Sequence, residues 1–229
     1  MISLRHLARM IADRLHPPAD HRALFGEIYR RNLWGDAESV SGPGSTRARG
    51  TDFMAELVAL LRRLDTRTLL DAPCGDFNWI AEAADAVERY VGIDVVPELI
   101  EHNLDLHRTE RRSFARADIS RDPLPAADVI LCRDCLVHFS TPDVWATLAN
   151  FRRSGSRWLL TTTFVERDGN EEIRTGSWRP LNLQAAPFHF PPPLELVDER
   201  CTHTGGIYRD KRLALWELSS LPTAEMSQY

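Results

Sequence analysis

The spacing of apolar positions changes character along the chain. Behind Thr51, residues Phe53, Leu57, Leu60, Leu61 and Leu64 recur at helical intervals, which predicts a helix to about residue 64 with Thr51 as its N-cap. Short apolar runs then follow at 68–72, 89–94, 113–117, 128–132 and 157–163. They are too brief for helices and predict buried strands. Helical patterns lie between them, over 78–87, from Pro97 onward, and over 141–151 with Thr141 as cap and Pro142 behind it. Residues 165–193 lose this rhythm and hold five of the fourteen prolines. Two last strands, 194–199 and 213–218, are predicted on either side of a Gly205-Gly206 turn.

Repeated strand–helix units ending in a hairpin predict an α/β protein of Rossmann-like type: a mostly parallel seven-stranded sheet with one antiparallel strand. Residues 1–50 read as an N-terminal helical segment and loop that caps a main domain over 51–229. The aperiodic stretch at about 165–193 is an insertion on the substrate side. Within the cap, 23–34 predicts a helix, and 35–45, rich in Gly, Pro and Ser, breaks it. Ile2, Leu4, Leu7, Met10, Ile11 and Leu15 predict one more helix face, packed on the domain, with a membrane-surface helix as the other reading.

Composition narrows the function. The 229 residues, 43% hydrophobic, suit one domain with an ordinary core. No apolar run is long enough to span a bilayer, and residues 1–14 lack the apolar block of a secretion signal. A net charge of −5 argues against a nucleic-acid partner. The four cysteines, 74, 132, 135 and 201, form no disulfide framework, which points to a reducing, cytoplasmic setting. A single C-x-x-C at 132 and 135 is a thin basis for zinc, and no metal is expected. Oligomeric state is not legible.

In an open parallel sheet, ligands gather beyond the carboxyl ends of the strands. Asp71, Pro73 and Gly75 follow the first strand, Asp94 the second, Asp118 and Ile119 the third, and Cys132 closes the fourth. A carboxylate at Asp94 suits ribose hydroxyls. The first loop is not G-x-G-x-x-G, which disfavours a dinucleotide. Acids in register at three strand ends fit a nucleoside ligand, although each alone also reads as a helix cap.

On these residues the chain resembles class I S-adenosylmethionine-dependent methyltransferases, over about 51–163 and the last hairpin. Asp71-Ala72-Pro73-Cys74-Gly75-Asp76-Phe77 resembles the first motif, with Pro73 and Phe77 where glycines are common; Gly92-Ile93-Asp94 resembles the second. Ala117-Asp118-Ile119 resembles the adenine-contacting segment. A narrower resemblance, to a bacterial subgroup with D-A-P-C-G-D-F-N-W, C-R-D-C-L-V-H and W-R-P-x-N-L blocks, brings no acceptor. The resemblance implies S-adenosyl-L-methionine as cofactor, Asp94 on the ribose, and Asp118 and Ile119 on adenine. Asp71, Gly75 and the Cys132 carbonyl would surround the methionine part.

Methyl transfer to oxygen or nitrogen needs a proton acceptor. His138 is the first candidate base and Asp134 the second; their competing roles are a structural histidine and a salt-bridging acid. Trp178, Arg179, Asn182 and His189 are candidate acceptor contacts. Phe188 and Phe190 read as loop packing. The leading function is methylation of a small-molecule acceptor, such as a sugar or natural product. RNA or protein methylation, and an idle nucleoside-binding regulatory module, remain as alternatives.

Overall fold

The structure, a computed structural model, describes residues 20–224; the helix predicted within 1–15 lies outside them. The described residues form a seven-stranded sheet in the order β3-β2-β1-β4-β5-β7-β6. The strands are β1 Thr68–Asp71, β2 Arg89–Asp94, β3 Arg112–Arg116, β4 Val129–Cys132, β5 Trp158–Phe164, β6 Glu195–Asp198 and β7 Lys211–Glu217. Strand β7 runs antiparallel to both its neighbours, and the other pairings are parallel. The chain winds outward from β1 to β3, then returns to set β4 on the other side of β1. That reversal opens a crevice between the ends of β1 and β4, where such sheets bind ligands.

Both sheet faces are covered. On one face, helix α2, Arg47–Arg63, buries Phe53, Leu57, Leu60 and Leu61 to 1% exposure or less. Burying each such side chain contributes about 1.5–3 kcal/mol. They join Leu69, Tyr90, Phe114 and Leu131. On the other face, helix α5, Thr141–Arg153, brings Val144, Leu148 and Phe151 against Ile130, Leu159 and Trp216. Phe188 and Phe190 complete this side as core residues. Helices α3, Ala81–Asp85, and α4, Pro97–His107, link β1 to β2 and β2 to β3.

Several boundaries differ from the sequence expectation. Helix α2 begins a turn earlier than Thr51, behind Thr46, and the Thr51 hydroxyl donates to the Arg47 carbonyl at 3.0 Å. The extra turn is possible because Gly50 lies on Trp79; a Cβ there would stand 2.9 Å from the Trp79 Cβ. Ser140, not Thr141, caps α5, accepting from the Asp143 amide at 3.3 Å. The turn at 205–206 belongs to a one-turn helix α6, His203–Gly206. The first described helix, α1 His21–Arg30, is shorter than the predicted 23–34, with Asp20 accepting from the Ala23 amide at its start.

Residues 165–193 contain no helix or strand. Polar side chains inside the loop hold it in place. Asn182 donates to the Arg167 carbonyl at 2.7 Å and accepts from the Gln184 amide at 2.9 Å. The Arg179 guanidinium donates to the Phe139 carbonyl at 2.6 Å.

Candidate active site

The ends of the strands open into one cavity of about 580 Å³, within the ~300–1,000 Å³ usual for small-molecule sites. Asp71, Pro73, Gly75, Asp94, Asp118 and Ile119 line it. Asp94 accepts from the Val96 amide at 3.0 Å and the Gly75 amide at 3.1 Å, bonds that fix its carboxyl at the end of β2. Burial pushes its pKa up to about 6 despite those amides. Asp71 accepts from the Tyr90 hydroxyl at 2.6 Å. Burial, opposed by that hydroxyl and reinforced by the Asp94 charge, pushes it up to about 7.

Gly75 turns the chain after β1 with φ of +53°, a conformation costly for residues with a Cβ. A Cβ there would stand 2.3 Å from the Ser41 Oγ. Ser41 accepts from the Asp76 amide at 3.0 Å, and Ser39 donates to Asp76 at 2.7 Å. The loop over 39–45 is thereby fastened to the turn, and Ser41, Gly42 and Gly44 line the same cavity.

Asp118 is more heavily committed than the sequence implied. One oxygen accepts from the Ser120 amide and hydroxyl at 2.9 and 2.6 Å and lies 3.1 Å from Nδ1 of His21. The other is 2.9 Å from Nε of Arg121. Burial alone would raise its pKa, but these partners hold it well below the usual carboxylate range. Ile119 and Ala117 supply apolar wall beside it. Cys132 does not line the cavity. It sits inside the sheet opposite Thr161, whose hydroxyl occupies its carbonyl at 2.7 Å; Cys135 reaches the wall instead.

His138 closes a short 3-10 turn, Leu136–His138, after β4 and lines the cavity. Its Nδ1 is 2.8 Å from the Ser177 carbonyl. A carbonyl only accepts, so Nδ1 carries the proton and Nε2 keeps its lone pair. Burial lowers its pKa, keeping the ring neutral. Asp134 also lines the cavity, but it is a poor base. Its carboxylate lies 2.6 Å from the Lys211 ammonium and 3.5 Å from Arg133, and these cations outweigh burial to hold it ionised far below the usual range.

Of the four expected acceptor contacts, only Trp178 lines the cavity. Arg179 and Asn182 are buried in the loop bonds already described. His189 is exposed, with φ of +50°, away from the cavity lining.

The structure adds residues whose partners are too distant in sequence to suggest them. His21 is buried between Asp118 and Asp143, at 3.1 and 3.3 Å. Burial opposes its charge, yet the two carboxylates win and raise its pKa to about 9. Arg133 donates twice to Glu199, at 2.9 and 2.6 Å, and lies over the Trp79 ring at 4.6 Å. Among the described residues, no three or more His, Cys, Asp or Glu side chains gather as a metal site.

The residues present fit an adenosyl sulfonium cofactor: a buried strand-end carboxyl with free lone pairs, a cradle that only glycine permits, and an apolar wall at Ile119. Residues 69–155 match the family described as "Methyltransferase domain". No curated protein matches the chain. The structure resembles the Burkholderia thailandensis 1,6-didemethyltoxoflavin-N1-methyltransferase, at 19% identity and a TM-score of 0.57, over 86% of each chain. It also resembles human N-acetylserotonin methyltransferase, at 15% and 0.55, over 86% of this chain and 59% of that one. Synechocystis magnesium protoporphyrin IX methyltransferase matches at 15% and 0.54, over 84% and 94%. The chain spans 66% of the length of two bacterial Hen1 methyltransferase-domain structures. At these identities the structural likeness establishes the fold, and the family match covers the β1–α5 segment, which supplies part of the cavity wall. Residues 69–155 therefore match a methyltransferase-domain family, within a fold shared with these three methyltransferases.

Proposed function

We propose that the protein methylates an oxygen or nitrogen of a small-molecule acceptor, with His138 as general base. The observation that carries this reading is His138 itself: a neutral ring on the cavity wall whose Nδ1 proton is held by the Ser177 carbonyl, leaving Nε2 to accept. Asp94 would hold the ribose hydroxyls, Ile119 the adenine face, and Asp71 and Gly75 the methionine part. S-adenosylmethionine, when bound, would supply an electrophilic methyl group. His138 would take the proton of the acceptor's O–H or N–H as the new bond forms. Helix α1 and the loop over 39–45 would act as the cap, excluding water from the reacting groups.

A small acceptor is favoured by the enclosure of His138, reached through a cavity rather than lying on an open face. The three solved relatives are named for three different acceptors, so the acceptor must be read from this chain's own walls. The test is transfer of labelled methyl from S-adenosylmethionine to separate pools of small molecules, RNA and protein. Label in the small-molecule fraction supports the proposal. Label confined to RNA or protein overturns it. Binding of S-adenosylhomocysteine with no label in any pool favours the idle nucleoside-binding alternative.

A further inference from the structure

The walls around His138 restrict the acceptor's chemistry, an inference that rests on the methyltransferase reading above. The Trp34 ring lies 5.1 Å from the His138 imidazole. Ser177, which holds Nδ1 of His138, is followed by Trp178, whose ring meets Tyr208 edge-on at 5.1 Å. Phe164 joins them, 5.9 Å from Tyr208 and 6.1 Å from Trp178. All five of these ring residues line the same cavity. Trp178 keeps 42% of its surface exposed although two rings flank it. A large ring left half uncovered on a cavity wall is a stacking surface awaiting a partner.

The charges near His138 are already spent on one another. Lys211 lies 2.6 Å from Asp134 and 3.1 Å from Glu199, and Arg133 lies 2.6 Å from Glu199. These two cations and two anions neutralise one another, which leaves none of the four to pair with a phosphate, a carboxylate or an ammonium on the acceptor. An ionic group brought in here would be desolvated without a counter-charge, which is strongly unfavourable. A sugar fares poorly too, because each hydroxyl it buries needs a partner and rings dominate this wall. The indole N–H groups of Trp34 and Trp178 and the hydroxyls of Tyr29 and Tyr208 make no hydrogen bond among the described residues. They are few, and they sit on the rims of rings, where they suit the edge of a flat molecule.

We propose that the acceptor is an uncharged, planar aromatic molecule that stacks on the wall formed by Trp34, Trp178 and Tyr208 and presents a ring-borne hydroxyl or N–H to His138. In transfer, the acceptor oxygen or nitrogen forms the new bond to the methyl carbon as the carbon–sulfur bond breaks. The pair of that bond stays on sulfur, and the acceptor's proton passes to Nε2 of His138.

The test is calorimetry on the full chain saturated with S-adenosylhomocysteine, titrated with three probes that share one outline. These are 2-naphthol, 2-naphthol-6-sulfonate and decahydro-2-naphthol, which vary charge and aromaticity in turn. The expected result is saturable binding of 2-naphthol, with both other probes at least about tenfold weaker. Trp178→Ala, at a half-exposed position, should weaken 2-naphthol by about tenfold or less while leaving S-adenosylhomocysteine affinity unchanged. Equal or tighter binding of the sulfonate overturns the uncharged acceptor, and equal binding of the saturated alcohol overturns the aromatic one. No binding of 2-naphthol to protein that binds S-adenosylhomocysteine overturns this inference and leaves the cofactor assignment standing. Failure of S-adenosylhomocysteine itself to bind overturns the methyltransferase reading, and this inference with it.

Discussion

Nδ1 of His21, on the first described helix, lies 3.1 Å from a carboxylate oxygen of Asp118 at the far end of β3. Its other nitrogen lies 3.3 Å from Asp143 on α5. The ring also packs on Phe139, at 4.9 Å between centroids. One imidazolium thus fastens the N-terminal helix to two separate parts of the domain, on the wall of the strand-end cavity.

This clamp should make stability depend on pH. Histidine in the unfolded chain titrates near 6.5, and His21 in the fold near 9. The folded state binds the proton more tightly, so the contribution is complete below 6.5 and is lost as pH rises through about 9. Its size is up to about 3 kcal/mol. Urea unfolding of wild type and His21→Asn should show a wide gap in stability at about pH 6 that narrows by about pH 10. A gap that stays constant would mean packing on Phe139, and not charge, fixes the helix.

Asp94 should control cofactor affinity. If Asp94 holds the ribose as proposed, Asp94→Ala deletes charge-assisted hydrogen bonds each worth about 1.5–3 kcal/mol. S-adenosylhomocysteine should bind at least tenfold more weakly to that variant by calorimetry. In wild type, affinity should fall as pH drops through about 6, where Asp94 gains a proton and loses acceptor capacity. Burial also pushes Asp71 up, to about 7, so Asp71→Asn should reduce the pH dependence of binding.

The turn after β1 offers a steric test. Gly75→Ala places a Cβ 2.3 Å from the Ser41 Oγ and imposes a left-handed conformation on alanine. The conformational part alone costs about 1–2 kcal/mol. A lower melting temperature and weaker S-adenosylhomocysteine binding are expected together. Adding Ser41→Gly removes the colliding hydroxyl and should restore part of the binding but not the conformational cost. No recovery in the double variant would mean that the loop over 39–45 does not rest on this turn.

Most strands were legible as short apolar runs, although β3 buries only Phe114, and topology alone brings strand-end acids such as Asp94 to the cavity. What stayed hidden depends on contacts between distant residues. His21 and Asp118 are 97 positions apart, and Arg133 and Glu199 are 66. No local pattern encodes such pairs. Arg179 and Asn182 misled for a related reason. A polar side chain in an aperiodic loop reads equally as a ligand contact or as a substitute for absent backbone bonds, and here both serve the second purpose. Cys132 ends its strand in register with Thr161, whose hydroxyl donates to its carbonyl, and it does not line the cavity.

The proposed chemistry turns on His138. As a base it must be neutral, and burial places its pKa below the ordinary histidine value of 6.5. Turnover should therefore be level across neutral pH and fall on the acid side with a midpoint below 6.5. His138→Ala should lower turnover by about a hundredfold or more, the usual scale of general base catalysis, while S-adenosylhomocysteine affinity changes little. The Ser177 carbonyl allows a finer comparison. His138→Gln can still donate to that carbonyl and hold the loop at Trp178, but it has no lone-pair nitrogen to accept a proton. If His138 only positions the loop, the glutamine variant should regain most of the activity that alanine loses, and the acid limb of the rate profile should persist in it. If His138 is the base, the glutamine variant should keep the wild-type melting temperature, stay as slow as alanine, and lose that acid limb altogether.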